Sequence, residues 1–130
     1  MKPISTLKVY QTSRTPAQVL TSILSITKNP KRHLRGPRFG LEPGSGRVQP
    51  KNNAGTAKTA VCGCGNGLID MLSRGGRTGN VAYKTRQLLD DTAHEIYGWD
   101  GVQSHATISD GRGLKSWLRV VRKALDKLAA

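Results

Sequence analysis

Residues 28–58 constrain the fold of this chain more than any other segment. They read KNPKRHLRGPRFGLEPGSGRVQPKNNAGTAK, with eight Lys or Arg residues, one acid (Glu42), four Pro and five Gly. Proline removes a backbone donor and glycine loses much conformational freedom on folding, so regular helix or central strand is disfavoured here. Irregular segments this long are usually functional or disordered. We therefore predict an extended basic segment whose role is contact with an anionic partner.

The whole chain shares this cationic character. Its 130 residues include 21 Lys and Arg against 8 Asp and Glu, which gives a formal net charge of +13. Such an excess attracts nucleic acid, an anionic membrane or an acidic protein. A membrane is the least favoured of these, because no apolar run approaches the roughly 20 residues that a spanning helix needs. The alternative is a soluble protein whose charge serves only to keep it in solution.

The length predicts a single domain over 1–130, and the apolar pattern predicts that it is mainly helical. Thr15 is suited to cap the first helix and Pro16 to occupy its first position. The four predicted helices cover 16–27, about 57–73, about 81–97 and roughly 112–128. We therefore expect an all-α fold, a small bundle of about four helices with the basic irregular segment between the first two.

Local signals predict where these helices begin and end. The pair Asn29 and Pro30 should end the first, since a residue before proline is pushed out of the helical region. The other expected caps are Gly75 or Gly76 after the second helix, Asn80 before the third, and Ser109 or Asp110 before the last. Residues 98–113 are expected to form a loop. Residues 2–11 alternate loosely, which predicts a short N-terminal strand or an extended arm.

Ten basic residues are candidate contacts for a polyanion. Arginine suits this role because its planar fork meets phosphate oxygens in pairs. Phe39 could stack on an exposed base, and His33 could add charge at mildly acidic pH. A solvated loop and an ordinary polar helix surface are the alternatives. The candidates are Lys31, Arg32, Arg35, Arg38, Arg47 and Lys51 in the basic segment, and Lys115, Arg119, Arg122 and Lys123 on the last helix.

Two cysteines, Cys62 and Cys64, are separated by one residue. With His94 and His105 they could supply four zinc ligands, but structural zinc sites usually space their cysteines by two to four residues. Buried inert thiols are the more usual state, so no metal and no other cofactor is predicted. A disulfide between them would close an awkwardly tight ring. The chain is expected to be cytoplasmic, in a reducing compartment.

A titratable cluster on the third predicted helix comprises Asp90, Asp91, His94 and Glu95. Such a group could perform acid–base chemistry. Solvent-facing helix charge is the more usual explanation, and no nucleophile lies beside the cluster at a recognisable motif spacing. The glycine-rich CGCGNG also lacks the Gly-Lys-Ser/Thr ending of a phosphate-binding loop. The sequence therefore predicts a binding protein and not an enzyme.

Three short motifs in the second half of the chain carry a resemblance. Cys62 and Gly65 match the Cys and Gly of a helix-opening Cys-Ala-Leu-Gly-Ala-Leu. Trp99 and Asp100 stand where Trp-Asn-Asp would fall, without its Asn, and Arg112 matches an Arg-Thr step before a final Glu-Val-Leu helix. Over about residues 60–128 the chain thus resembles a small actinobacterial and actinophage domain family of unknown function.

What the resemblance implies is a small helical domain of phage or mobile-element origin. Cys62, Trp99 and Trp117 would then pack in the core, and Arg112 would brace a loop or a helix start. The resemblance brings no activity, cofactor or catalytic residue.

The combined prediction is a non-catalytic phage or bacterial accessory protein in the cytoplasm, the host cytoplasm if phage-encoded, or in the virion. It would bind nucleic acid or a nucleoprotein assembly, largely without sequence specificity. The first alternative is a protein-interaction module, either a virion component among other subunits or a phage inhibitor of a host defence complex with an acidic surface. The second alternative is a small metal-binding or hydrolytic protein.

Overall fold

Helices account for most of the residues that this computed structural model describes, which are 11–34, 40–41, 48–49 and 63–130. The elements in chain order are α1 (Pro16–Ile26), a 3-10 turn (Pro30–Arg32), β1 (Gly40–Leu41), β2 (Val48–Gln49), α2 (Gly65–Leu72), a second 3-10 turn (Gly76–Thr78), α3 (Asn80–Tyr97), α4 (His105–Thr107), a π-helical turn (Ile108–Arg112) and α5 (Leu114–Ala129). The two short strands pair antiparallel. The predicted fold class, a small and mainly α-helical domain, is confirmed.

The apolar core lies between α1, α2, α3 and α5. Helix α5 packs against both α1 and α3, and α2 packs against α1 and α3. Each helix contributes the stripe of apolar residues that a 3.6-residue period places on one face. The largest fully buried side chains are Trp117, Leu20, Ile23, Leu68, Ile69, Leu72, Leu89 and Ile108.

Helix α1 forms as its sequence predicts. The Thr15 side chain accepts a hydrogen bond from the Gln18 backbone N–H at 3.2 Å, and Pro16 opens the helix. At the other end, the chain leaves the helix after Ile26 and enters the 3-10 turn at Pro30. Local capping chemistry thus explains where this helix begins.

Helix α2 begins later than its apolar pattern predicts. It starts at Gly65, whereas 57–73 was expected, and residues 57–62 lie outside the described part of the chain. A Cβ atom on Gly65 would lie 2.9 Å from Cζ2 of Trp117 and 3.0 Å from the Ser109 hydroxyl oxygen. The glycine is therefore needed for close packing against an indole ring. Beyond the helix, Gly75 and Gly76 both adopt positive φ, at 86° and 67°, but Ser73 caps α2, so the predicted glycine cap was wrong.

The region expected to be a loop, 98–113, contains helical structure. The Ser104 side chain caps α4 by accepting from the Ala106 N–H, and the Asp90 carboxylate accepts from the His105 N–H at 2.7 Å. The second bond comes from a distant part of the chain, which explains why local patterns did not predict this helix. Residues 105–112 are consequently helical and are joined to α3 through Asp90.

Three further predicted caps were wrong. Ser109 and Asp110 lie inside the π-helical turn, and α5 instead begins after Gly113, whose φ is 98°. Asn80 is the first residue of α3 and not its cap, which is Gly79.

The described end of the N-terminal arm lies along the end of α2. The Gln11 N–H donates to the Met71 carbonyl at 2.7 Å, and the Ser13 N–H donates to the Leu72 carbonyl at 2.9 Å. Ser13 also pairs in parallel with Ser73. An extended conformation was expected for 2–11, and all but the last residue of that range lies outside the described residues.

We predict that Gly65→Ala destabilises the protein, although alanine normally favours a helix by about 1 kcal/mol over glycine. The new methyl group would overlap the Trp117 ring, and overpacking of this kind typically costs about 1–3 kcal/mol. Urea unfolding monitored by circular dichroism measures the change. Gly111→Ala is the matched control, because a Cβ there meets nothing within 4 Å. Equal stability changes for the two variants would contradict the proposed close contact.

Candidate polyanion-binding face

The structure divides the ten candidate cations into two groups. Lys31 and Arg32 lie in the 3-10 turn that follows α1, and four lie along α5. The remaining candidates, Arg35, Arg38, Arg47 and Lys51, lie outside the described residues.

The backbone pairs with itself beside the 3-10 turn that carries Lys31 and Arg32. The Leu34 N–H donates to the Gly63 carbonyl at 2.9 Å, and the Gly63 N–H donates to the Arg32 carbonyl at 3.0 Å. These two bonds join positions about thirty residues apart, so Leu34 and Gly63 lie side by side next to the turn. Backbone pairing therefore anchors the base of the segment next to Lys31 and Arg32.

His33 strengthens this anchor and is not part of a cationic surface. Its Nε2 lies 2.7 Å from the Ser109 hydroxyl, and its ring stacks on Trp117 with centroids 5.5 Å apart. The same hydroxyl accepts a hydrogen bond from the Gly65 N–H at 3.1 Å. The expectation that His33 adds surface charge is corrected, because the side chain is 9% exposed and packs in the core.

His105 completes the polar network around the buried indole. The Trp117 Nε1–H donates to His105 Nδ1 at 3.1 Å, so the neutral imidazole carries its proton on Nε2, which donates to Asn66 Oδ1 at 2.8 Å. Burial, together with the positive charge of Arg86, lowers the pKa of His105 to about 3. A neutral histidine with both nitrogens engaged serves packing and orientation.

The described residues among those considered for zinc do not form a metal site. Both nitrogens of His105 are hydrogen-bonded, and Cys64 is a buried thiol whose pKa is raised by desolvation. Cys62 lies outside the described residues. Among those that are described, no three His, Cys, Asp or Glu side chains are grouped so as to hold a metal ion.

Three side chains of the titratable cluster on α3 bind three different partners. Asp90 accepts from the His105 backbone, and burial raises its pKa. The Nε2 of His94 donates to the Val102 carbonyl at 2.7 Å. Glu95 pairs with Lys127 at 2.7 Å, and this hydrogen bond lowers its pKa. The first two side chains thus hold the segment that follows α3, and the third ties α3 to α5.

The exposed side of α5 carries most of the described cationic candidates. Lys115, Arg119 and Arg122 are exposed and follow one another at spacings of four and three, which places them along one stripe. Lys123 lies on the flank of the stripe, 3.8 Å from the Glu95 carboxylate. Its charge is therefore shared with an acid.

Sequence reasoning did not include Arg112 and Tyr97, which lie next to this stripe, among the candidate site residues. The guanidinium carbon of Arg112 lies 4.5 Å from the centroid of the Tyr97 ring, and that of Arg119 lies 5.7 Å from it. The Tyr97 hydroxyl donates to the Ser116 carbonyl at 3.3 Å, which fixes the ring against α5. Arg112 thereby contacts the last residue of α3 from the turn before α5. We call Arg112, Lys115, Arg119 and Arg122 together the α5 basic face.

Of the two tryptophans expected in the core, one is misplaced. Trp117 is fully buried, as predicted, whereas Trp99 is 76% exposed, so its predicted core position was wrong. Trp99 lies in the turn after α3, whereas the last buried residue of that helix is Ala93.

No family model, curated protein or solved structure matches this chain, and the family resemblance over residues 60–128 stays a prediction. Every helix in the described ranges is too short or too polar to cross a lipid bilayer.

We predict that the free energy of unfolding falls as the pH is lowered below about 6.5. His105 has a pKa of about 3 when folded and an ordinary value near 6.5 when unfolded, so the unfolded chain binds the additional proton between these values. Stability from this residue is complete above about pH 6.5 and decreases by up to about 1.4 kcal/mol per pH unit below it.

Urea titrations between about pH 6.5 and 5 test this prediction. The raised pKa of Asp90 changes the pH dependence of stability in the opposite sense, but mainly below this pH range. His105→Gln serves as the comparison, since His33 and His94 are retained in both proteins. The variant should be less stable at neutral pH and should show a flatter pH dependence. An unchanged slope would contradict the assignment to His105.

Proposed function

We propose that this protein binds nucleic acid, largely without sequence specificity, through the α5 basic face. The observation that carries the proposal is the placement of the Arg112 and Arg119 guanidinium groups over one Tyr97 ring. Two positive charges are thereby gathered around one ring, at 4.5 and 5.7 Å from its centroid, and an anion bound beside them lessens their mutual repulsion. This concentration of positive charge favours an anionic ligand.

The charges of this face are available to a ligand. Ion pairs in the described residues join Asp70 to Arg86 and Glu95 to both Lys123 and Lys127. Within that part of the chain, these pairs involve none of the four residues of the α5 basic face. All four side chains are exposed. A solvated cation at such a surface is suited to phosphate contact and counterion release.

Phosphate is a better ligand for this face than an isolated carboxylate. Three of its four members are arginines, whose forked donors meet phosphate oxygens in pairs. A row of cations along a helix follows a repeating phosphate backbone and reads no base edges. The net charge of +13 supplies long-range attraction for the same ligand. Arg35, Arg38, Arg47 and Lys51 remain predicted contacts that would add to this surface.

An accessory role in a phage or bacterial cell, on nucleic acid or a nucleoprotein assembly, is consistent with this chemistry. An acidic protein or a virion subunit is the alternative ligand. Binding to nucleic acid should weaken steeply with salt, whereas a protein complex held by packing would survive about 1 M salt, where screening shortens to roughly 3 Å.

The test compares two triple variants that lose the same charge. Lys115→Gln, Arg119→Gln and Arg122→Gln remove three cations of the α5 basic face. Arg74→Gln, Arg77→Gln and Lys84→Gln remove three exposed cations elsewhere. Fluorescence anisotropy with a labelled oligonucleotide between about 50 and 200 mM salt gives the affinity and its salt dependence.

We expect the first variant to bind at least tenfold more weakly and to lose about 0.7–0.9 of log–log salt slope for each phosphate contact removed. The control should bind within about threefold of the wild type, through the general effect of net charge. Unchanged helical circular dichroism in both establishes that folding is intact. Equal losses in the two variants would show that only total charge matters and would refute a defined face.

A further inference from the structure

Trp99 is the most exposed of the large apolar side chains in the described part of the chain. Its side chain is 76% exposed, ahead of Tyr83 at 56% and Leu128 at 45%. The residue lies in a tight turn between Gly98 and Gly101, both of which adopt positive φ. The turn leaves most of a large indole in solvent, so the side chain contributes little burial to the folding of the domain.

The exposed indole is nevertheless held in a fixed orientation. The His94 ring stacks on it with centroids 3.5 Å apart and planes inclined by 16°. His94 is itself fixed by its hydrogen bond to the Val102 carbonyl, and the Val102 N–H donates to the Trp99 carbonyl at 3.2 Å. One face of the indole is thereby covered and the other is left for a ligand. A ring that is already ordered loses little freedom when a second planar group stacks on it.

The residue that supports the indole lies close to the residue that supports two arginines of the α5 basic face. His94, which supports Trp99, and Tyr97, which supports Arg112 and Arg119, are three residues apart on α3. Side chains at that spacing are neighbours on a helix surface. The end of α3 therefore presents a stacking ring and a pair of guanidinium groups on adjoining positions.

The exposed indole and the nearby guanidinium groups favour single-stranded over double-stranded nucleic acid. Proteins that bind single strands combine a positive surface for the backbone with aromatic rings on which unpaired bases stack. A base inside a duplex is already stacked on its neighbours and presents only its edge. Asp100, next to Trp99 and exposed, disfavours a phosphate at this end of the site. The indole is consequently placed for a base, and the guanidinium groups for the adjoining phosphates.

We propose that Trp99 is a stacking platform for an unpaired base and that single-stranded nucleic acid is the preferred ligand of the α5 basic face. This inference rests on the proposed function and gives it a substrate class. It assigns Trp99 to base contact and Arg112 and Arg119 to the neighbouring phosphates. His94 is a positioning residue that orients the indole.

The intrinsic fluorescence of the protein provides a direct readout. The chain has two tryptophans, and Trp117 is fully buried, so a change on adding an oligonucleotide reports on Trp99. The probes are an oligothymidine and a duplex of the same length, both at low salt. We expect the oligothymidine to quench the emission and to bind more tightly than the duplex.

Variants separate stacking from other roles. Trp99→Ala should weaken oligothymidine binding by roughly 5- to 150-fold, the range expected for one stacked base, and should leave duplex binding within about twofold. Trp99→Phe should restore most of the loss, because a phenyl ring retains a stacking surface. Tyr83→Ala, which removes another exposed aromatic ring from α3, is the matched control and should change neither affinity.

The outcomes distinguish this inference from the function on which it rests. If the wild type binds neither probe, the proposed function itself fails. If it binds both and Trp99→Ala behaves like Tyr83→Ala, the proposed function stands and the stacking platform is refuted. Equal weakening of both probes by Trp99→Ala would also overturn the preference for single strands.

Discussion

The buried indole of Trp117 is the contact on which the rest of the structure depends. It packs against Gly65 at the start of α2, donates to His105 in α4 and stacks with His33 at the base of the basic segment. A buried indole N–H needs an acceptor, so His105 must stay neutral for the core to remain satisfied. One side chain of α5 thus fixes three separate parts of the chain.

This core determines what is left for the surface. Because His33 is held inside, the backbone of Leu34 pairs with that of Gly63 at a defined point, next to Lys31 and Arg32. Helix α3 has a similar double role, since its inner face packs in the core while its end supports the rings and guanidinium groups of the candidate site. The candidate site is therefore built on rigid elements, which favours a defined geometry for a ligand.

Much of the helical architecture could be predicted from the sequence. The apolar period located α1, α3 and α5 to within about two residues, because helical periodicity is a local property of the chain. The start of α2 and the helical turns at 105–112 were not predicted. Both depend on distant partners, with Trp117 requiring a glycine at 65 and Asp90 holding the His105 N–H. The candidate site was predicted only in part, since Tyr97 and Arg112 meet through the fold.

By itself, the sequence determined the cationic character of the protein, its mainly helical class and the helix face that carries Arg119 and Arg122. The tertiary structure decided which polar and aromatic side chains lie inside. It placed His33 against Ser109, 76 positions away in the chain, and it placed Trp117 in the core while leaving Trp99 in solvent. Composition and periodicity describe neighbouring residues, whereas burial and charge pairing are set by contacts between residues that are remote in sequence.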